Sequence, residues 1–577
     1  LINNISNQIK KFTKKAHSEH WNELCSYLAV KKPAEQTFWR TIKTIESGNK
    51  PLDATILPNI SCSTEKKNIL SDFYKKTFTN NKYDNNYDNL FNSQQNNLFS
   101  EPISTCELLT AIKSSKSTNS TGTDGISQKL LKNLPPIAYE LLTNIYNSSL
   151  EFKYVPKQWK IAKIKVLRKK DSDLDNPSSY RPISLLNTTS RLLEKIINKR
   201  LTSWADSAKI IHQNQSGFRK NHSTQDNIFK LIETCKNGFQ QKRFSGIVLF
   251  DIEKAFDKAP HKGLLQSLEN YGCPEKLGKW LCSFLADRKF VIELEGELSE
   301  LGDIQAGVPQ GSPLSPLLFS LFINEIGSKL DKHNIFFSLY ADDLTIWTID
   351  SNILEIKRRL QLSIDEINTF FENIGLKINS KKCQYSTLSF NRKITPILEL
   401  TINNQQIEYA PNPKILGIYL DIHLNFKFHF EEIKKQLVTK VNLITILSRK
   451  SNSICPKYLV TIYKSLILSK IQYSMLPYLV TTRKIKNELQ IIQNKCLKII
   501  INQPISASTK LIHNSLNIKE LDNRIKGLAH NYVNNSAKFN LSIRDLVITH
   551  MNKMPCTKKT HRSILDNLDT EILLKYN

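Results

Sequence analysis

The chain has 577 residues, 40% of them hydrophobic and 23% charged, the composition of an ordinary globular protein too long for one core, so about two to four domains are expected. An excess of 81 Lys+Arg over 53 Asp+Glu, net charge +28 with a pI near 9.5, points to a polyanionic partner, nucleic acid before a membrane surface. Ten cysteines without one Cys-x-x-Cys pair argue against a zinc ribbon or knuckle and against a disulfide framework, and fit a reducing compartment. The opening "LINNISNQIKKFTKK" has no signal-peptide core, and the apolar run "YLVTIYKSLILSKIQYSMLPYLV" is broken by Lys464 and Lys470, so no membrane span is expected. The first residue is Leu rather than Met, as in a fragment whose upstream part is missing.

Residues 1 to about 75 have amphipathic helical character, with Trp21, Phe38 and Trp39 as anchors. "NNKYDNNYDNLFNSQQNN" (80–97), with eight Asn in 18 residues, is expected to be a flexible linker. From about 100 to 240 helical patterns alternate with short basic loops. "KQWKIAKIKVLRKKD" (157–171) alternates as a strand with one basic face. Strands are predicted at "FSGIVLF" before Asp251, in a hairpin "FFSLYADDLTIWT" (336–348) and at "KILGIYL" (414–420), interleaved with helices over 263–285 and 352–374. Strands between helices give an α/β or α+β domain. After about 425 a long helical segment follows, and 425–526 holds 18 Lys+Arg against 5 Asp+Glu, 13 of the 28 excess charges.

Two acidic stretches stand out in so basic a chain. "GIVLFDIEKAFDKAPH" (246–261) is an apolar strand ending in Asp251, and the 336–348 hairpin carries Asp342 and Asp343 at its tip. Asp-Asp in a turn is commonplace by itself. A strand-end carboxylate facing a hairpin-tip carboxylate could hold two Mg²⁺ ions, which take hard oxygen ligands and keep several waters. Two such ions about 3.5–4 Å apart suit an in-line displacement at phosphorus. On that reading the acids carry metals, and the basic clusters hold the incoming polyanion.

"YADD", "DIEKAFD" and "AGVPQGSPLSPLLFSLF" (306–322) resemble the palm motifs of reverse transcriptases. "TGTDGI" (121–126), "YRPISLL" (180–186), "SGFRKNHST" (216–224) and "KILGIYLD" (414–421) match in order and spacing. Together, over about 35–530, they are similar to non-LTR, LINE-type retrotransposons of the jockey-like group. The resemblance implies an α+β right-hand polymerase with an antiparallel palm sheet backed by helices. Its implied division is a helical N-terminal extension with the Asn-rich linker (1–98), fingers and palm (99–424), a basic helical thumb (425–530) and a basic C-terminal tail (531–577). It also implies an upstream endonuclease that this chain lacks.

By that resemblance Asp251, Asp342 and Asp343 form the catalytic triad. Asp251, Asp342 and the Ile252 carbonyl would hold two Mg²⁺ ions, with Mn²⁺ as a possible substitute, and Asp343 would support them. Phe256 falls where the family has its steric gate against a 2′-hydroxyl. Gln310 and Gly311 would contact the incoming nucleotide and the template. Arg181 and Lys169 would grip the triphosphate, Arg181 bidentately, and Lys382 rather than Lys381 would protonate the leaving pyrophosphate. Leu416 and Gly417 fall in the primer grip.

Two departures from the family pattern concern neighbouring loops. "KSTNSTGTDGI" replaces both prolines of the usual run while keeping Gly122, Asp124 and Gly125, and Asp171 stands where a Gly is usual. The implied function is an RNA-directed DNA polymerase extending a DNA primer on element RNA with dNTPs. It would act as an intracellular ribonucleoprotein in cytoplasm and nucleus. Two other readings compete. An RNA-dependent RNA polymerase shares the palm, but Phe256 and Ala341 speak against it. A domesticated or inactive RNA-binding relative is disfavoured by the intact aspartates.

Overall fold

The computed structural model describes residues 28, 33–47, 56–80, 82, 86–92, 101–169, 173–391, 397–450, 454–552 and 562–568. Its main strands are β1 (Ile161–Arg168), β2 (Tyr180–Leu185), β3 (Phe244–Phe250), β4 (Arg288–Leu294), β5 (Glu297–Leu298), β6 (Gly302–Ile304), β7 (Phe336–Tyr340), β8 (Asp343–Asp350) and β9 (Gln384–Leu388). The short β10 (Thr401–Ile402), β11 (Gln405–Gln406), β12 (Glu408–Tyr409), β13 (Lys414–Ile415) and β14 (Ile418–Tyr419) follow.

Two sheets carry the site. In the first, β1 lies between β2, antiparallel, and β4, parallel, with β5 and β6 antiparallel to β4. The alternation read in β1 is present: Ala162, Ile164 and Val166 are buried, while Lys163 and Lys165 point to the other face. There Glu293 of β4 pairs with both lysines, at 3.5 and 3.4 Å, so part of that basic face is neutralised. The second sheet has the order β12-β9-β3-β8-β7. Its central strand β3 is buried along almost its whole length, which is why "FSGIVLF" is a continuous apolar run rather than an alternation. Behind it packs the helix Ile353–Asn373, so close that a Cβ on Gly246 would lie 2.6 Å from Ile356 and 2.7 Å from Leu360.

Several expectations need correction. The sheet expected to be antiparallel is mixed, because its edge strand β12 runs parallel to β9. The helix expected over 263–285 is two, His261–Asn270 and Glu275–Leu285, separated where Gly272 takes φ +77° and Pro274 precedes the second. The Asn-rich stretch is no free linker where it is described. Leu90 and Phe91 are buried in the main core, and the Phe91 N–H donates to Glu269 Oε1 at 2.6 Å. Two apolar side chains anchor a segment whose composition otherwise suggests solvent.

The described N-terminal residues pack on two different cores. Ile56, Leu57, Leu70, Tyr74 and Phe78 pack on the first sheet against Ile164 and Phe290, whereas Phe38 and Ile42 join the helical region's core. Trp39 donates to the Pro33 carbonyl at 2.8 Å, and Trp21 lies outside the described residues. Among the described residues after β14 the regular elements are all helices, beginning with Lys427–Lys450. The expected tail is in part folded: Leu521–Phe539 runs through residue 530 and Leu541–Met551 packs after it. Residues 562–568 then dock on the helix Thr224–Gln240, where Glu233 Oε2 accepts from the N–H groups of Ile564 and Leu565. No helix among the described residues is long and apolar enough to cross a membrane.

Candidate active site

The pairing Phe250↔Leu344 between β3 and β8, continued by one residue, sets Asp251 opposite Asp343. Tyr340 pairs with Asp343, leaving Ala341 and Asp342 as a two-residue turn in which Ala341 takes φ +59°. Loss of water raises the Asp342 pKa and Asp251 adds to the effect, opposed by a backbone hydrogen bond and by Arg181. Asp343 is pushed up to about 6, by desolvation first and then by Asp342 and Asp251. Because Asp343 still reaches solvent, water screens part of that push. Three carboxylates are thus brought together where their charges oppose one another.

Cations from three other segments face them. Lys382 Nζ lies 3.4 Å from Asp251 Oδ2. Lys169, just past β1, donates to the Ser178 carbonyl at 2.7 Å. Its pKa is lowered by burial and then by Lys382 and Arg181, which places these three cations in one neighbourhood. Asp251 supplies a further element of order through its backbone. Its carbonyl accepts from Asn379 at 2.8 Å while Glu253 donates to Lys377 at 2.9 Å, a pairing that leaves the Ile252 carbonyl outside it.

Phe256 is partly buried, stacked on Phe319 at 4.4 Å and edge-on to Phe218 at 6.4 Å, so it packs on the core while bordering the site. Gln310 donates from Nε2 to Asp257 Oδ1 at 2.7 Å, and its carbonyl accepts from the Ser184 N–H of β2 at 2.8 Å. Gly311 has φ +136°, and a Cβ there would lie 2.5 Å from the Ser184 carbonyl oxygen, so only glycine fits this crossing. Leu416 and Gly417 are the turn between β13 and β14, with φ +46° and +86°. A cavity of about 160 Å³ joins that hairpin to the acids, with Asp251, Asp343, Lys382, Lys414 and Leu416 in its wall.

Four supporting residues were not singled out from the sequence. Gln215 Oε1 accepts from the N–H of Gly217 at 2.8 Å and of Ala341 at 3.3 Å, and Asn227 Nδ2 donates to the Leu339 carbonyl at 3.1 Å, which together brace the acidic turn from the side. Asn187 Oδ1 accepts from Thr123 and Asp124, and a Cβ on Gly122 would run into it, so the loop of residues 121–126 folds around this side chain. Asp257, six residues past Asp251, holds Gln310. Asp257 lies within the acidic stretch 246–261, but like Gln215, Asn227 and Asn187 it supports the site through a partner distant in sequence.

Among the described residues no group of three or more His, Cys, Asp or Glu side chains is gathered into a ready metal cage. The donor set nonetheless fits a hard divalent ion that keeps waters and shares phosphate oxygens: carboxylates alone, two of them with pKa values raised by loss of water and then by their acidic neighbours.

Residues 167–420 match the family model for reverse transcriptase (RNA-dependent DNA polymerase). The RNA-directed DNA polymerase from mobile element jockey of Drosophila melanogaster is 30% identical over 417 residues, 71% of this chain and 45% of that protein. The probable RNA-directed DNA polymerase from transposon BS of the same species is 26% identical over 541 residues, covering 91% of this chain and 59% of that one. The chain spans about half the length of these relatives. Apo telomerase from Candida tropicalis aligns over 75% of this chain and 74% of its own, with 12% identity and a TM-score of 0.35 that carries no inference.

Proposed function

We propose, from the premise that this chain belongs to the reverse transcriptases of non-LTR retrotransposons, that it extends a DNA primer on element RNA by metal-dependent nucleotidyl transfer. The observation that carries this is the meeting of Asp251, Asp342 and Asp343 opposite Lys169, Arg181 and Lys382. Asp251, Asp342 and the Ile252 carbonyl would hold two Mg²⁺ ions, for which Mn²⁺ can substitute. When bound, they activate the primer hydroxyl and neutralise charge at the transferred phosphate.

The chain's own residues do the rest. Arg181 and Lys169 grip the triphosphate, and Lys382, close to the acids, gives a proton to the departing pyrophosphate. Phe256 closes the space under the sugar, and Leu416 and Gly417 steer the primer end. Residues 99–424 would act as fingers and palm, the basic helices from 425 as the thumb, and the complex would work in the nucleus. Primer extension on poly(rA)/oligo(dT) tests the reading. Mg²⁺-dependent incorporation of dTTP in preference to UTP is expected; no incorporation of either would overturn it.

A further inference from the structure

The loop carrying Gln310 and Gly311 is fastened at almost every residue. The Gly307 N–H donates to the Ala259 carbonyl at 2.8 Å, Val308 N–H to the Phe256 carbonyl at 2.8 Å, and His261 Nε2 meets the Gly307 carbonyl at 2.7 Å. Ser312 donates to the buried Glu194 at 2.5 Å, and Ser315 to the Pro309 carbonyl at 2.8 Å. A Cβ on Gly307 would lie 2.5 Å from the Asp257 carbonyl oxygen, so loop and turn are in direct backbone contact.

One further hydrogen bond of this loop fixes the orientation of a side chain at the site. Asp257 is 8% exposed and its Oδ1 accepts a hydrogen bond from Gln310 Nε2 at 2.7 Å. An ionised carboxylate accepts only, so the amide cannot be reversed without setting oxygen against oxygen. The Nε2 end is therefore held inward, and Oε1 is the end left to meet a ligand.

We infer that Asp257 is a positioning residue that fixes the Gln310 amide so that it offers a hydrogen-bond acceptor, and so selects a nucleotide presenting a hydroxyl or amino donor there. Asp257 also adjoins the Phe256 backbone that Val308 grips, so the residue against the sugar and the residue that reads the nucleotide are held as one piece. This rests on the polymerase reading above.

The test is a double-mutant cycle of Asp257→Ala and Gln310→Ala, with Asp257→Asn, which keeps an acceptor oxygen, as the conservative variant. Binding of dTTP to the template–primer complex is measured in Ca²⁺, and KM and kcat for extension in Mg²⁺. Asp257→Ala should weaken dTTP binding and raise KM by about 10- to 100-fold, the worth of a hydrogen bond to a charged group, with kcat changed much less. In the Gln310→Ala background it should add less than about twofold, and Asp257→Asn should keep most of the affinity. Wild type that binds dTTP but does not extend a primer would sink the polymerase reading alone. Independent, multiplicative losses would overturn the positioning role. So would a raised Mg²⁺ requirement with unchanged dTTP binding, which would make Asp257 part of the metal site.

Discussion

The sheet region around the acids and the helical segment after β14 use charge in opposite ways. At the site, like charges are forced together at the ends of buried strands, and Asp342 and Asp343 have raised pKa values, by loss of water first and by their acidic neighbours second. In the helices most acids are already satisfied: of the five between 425 and 526, Glu431, Glu432, Glu488 and Asp522 have lysine partners at 3.9, 2.6, 2.5 and 2.9 Å. What is left is a basic excess on the surface, with Lys464, Lys484 and Lys495 exposed. Charge held against its own preference marks chemistry, whereas exposed charge of one sign states only the sign of the partner.

The largest effect should come from the crowded acids. Asp251→Asn or Asp342→Asn should cut extension by about 10³-fold or more, since several kcal/mol of transition-state stabilisation is lost. Template–primer affinity should stay within a few-fold and the melting temperature should not fall. A variant keeping a tenth of wild-type extension would show that the comparison misplaces the chemistry.

Phe256→Val should come next, lowering the dTTP:UTP preference in kcat/KM by about 10- to 100-fold through lost steric exclusion. The ring also stacks on Phe319, so a drop in melting temperature is expected besides. A drop with an unchanged ratio would reduce Phe256 to a packing residue.

The helical face should give a smaller, graded response. Changing Lys464, Lys484 and Lys495 together to Ala should weaken binding several-fold and flatten the slope of log K against log[salt] by up to about 2, with kcat hardly moved. An unchanged slope would show that this face looks away from nucleic acid.

The smallest effect compares one histidine from each region. His261 and His429 are buried and held down to about 4 by loss of water. Above pH 6.5 both folded and unfolded forms are neutral there. Below it the unfolded chain takes up protons that the folded chain refuses, so stability falls as pH drops from 6.5 towards 4. At pH 5.5 each should cost about 1 kcal/mol. His261→Gln and His429→Gln should each flatten the melting temperature's decline between pH 7 and 5.5, and no change in that decline would remove the buried histidines as its cause.

The acids were legible because the chemistry demands them at strand ends and in a tight turn, where flanking apolar residues reveal the fold. Asp257 was in view but its role was not, because its partner Gln310 is 53 residues away. Leu90 and Phe91 were hidden by the asparagines around them, and the break at Gly272–Pro274 by apolar spacing that runs on through it. The short β12 has only two residues, too few for any period to show whether it would join a neighbour parallel or antiparallel. Helices past residue 530 were obscured by the asparagines at 531, 534, 535 and 540, although Ala529, Val533 and Ala537 repeat at every fourth position and are buried.

Both ends of the described chain enter one core. Phe38 packs there with Ile228, Phe229 and Leu565, and Glu233 accepts from main-chain N–H groups more than 300 residues downstream. Synthesis runs in one direction, so the sheet that bears the acids can be assembled while the helical core still lacks its closing piece. Until residue 565 has emerged from the ribosome, the patch of the helix Thr224–Gln240 around Glu233 lacks its contact with Ile564 and Leu565, a contact of high sequence separation that forms late and slowly. Translation halted short of that point would release a chain with its acids built and its flank exposed, a substrate for chaperones and proteases before it is one for nucleic acid.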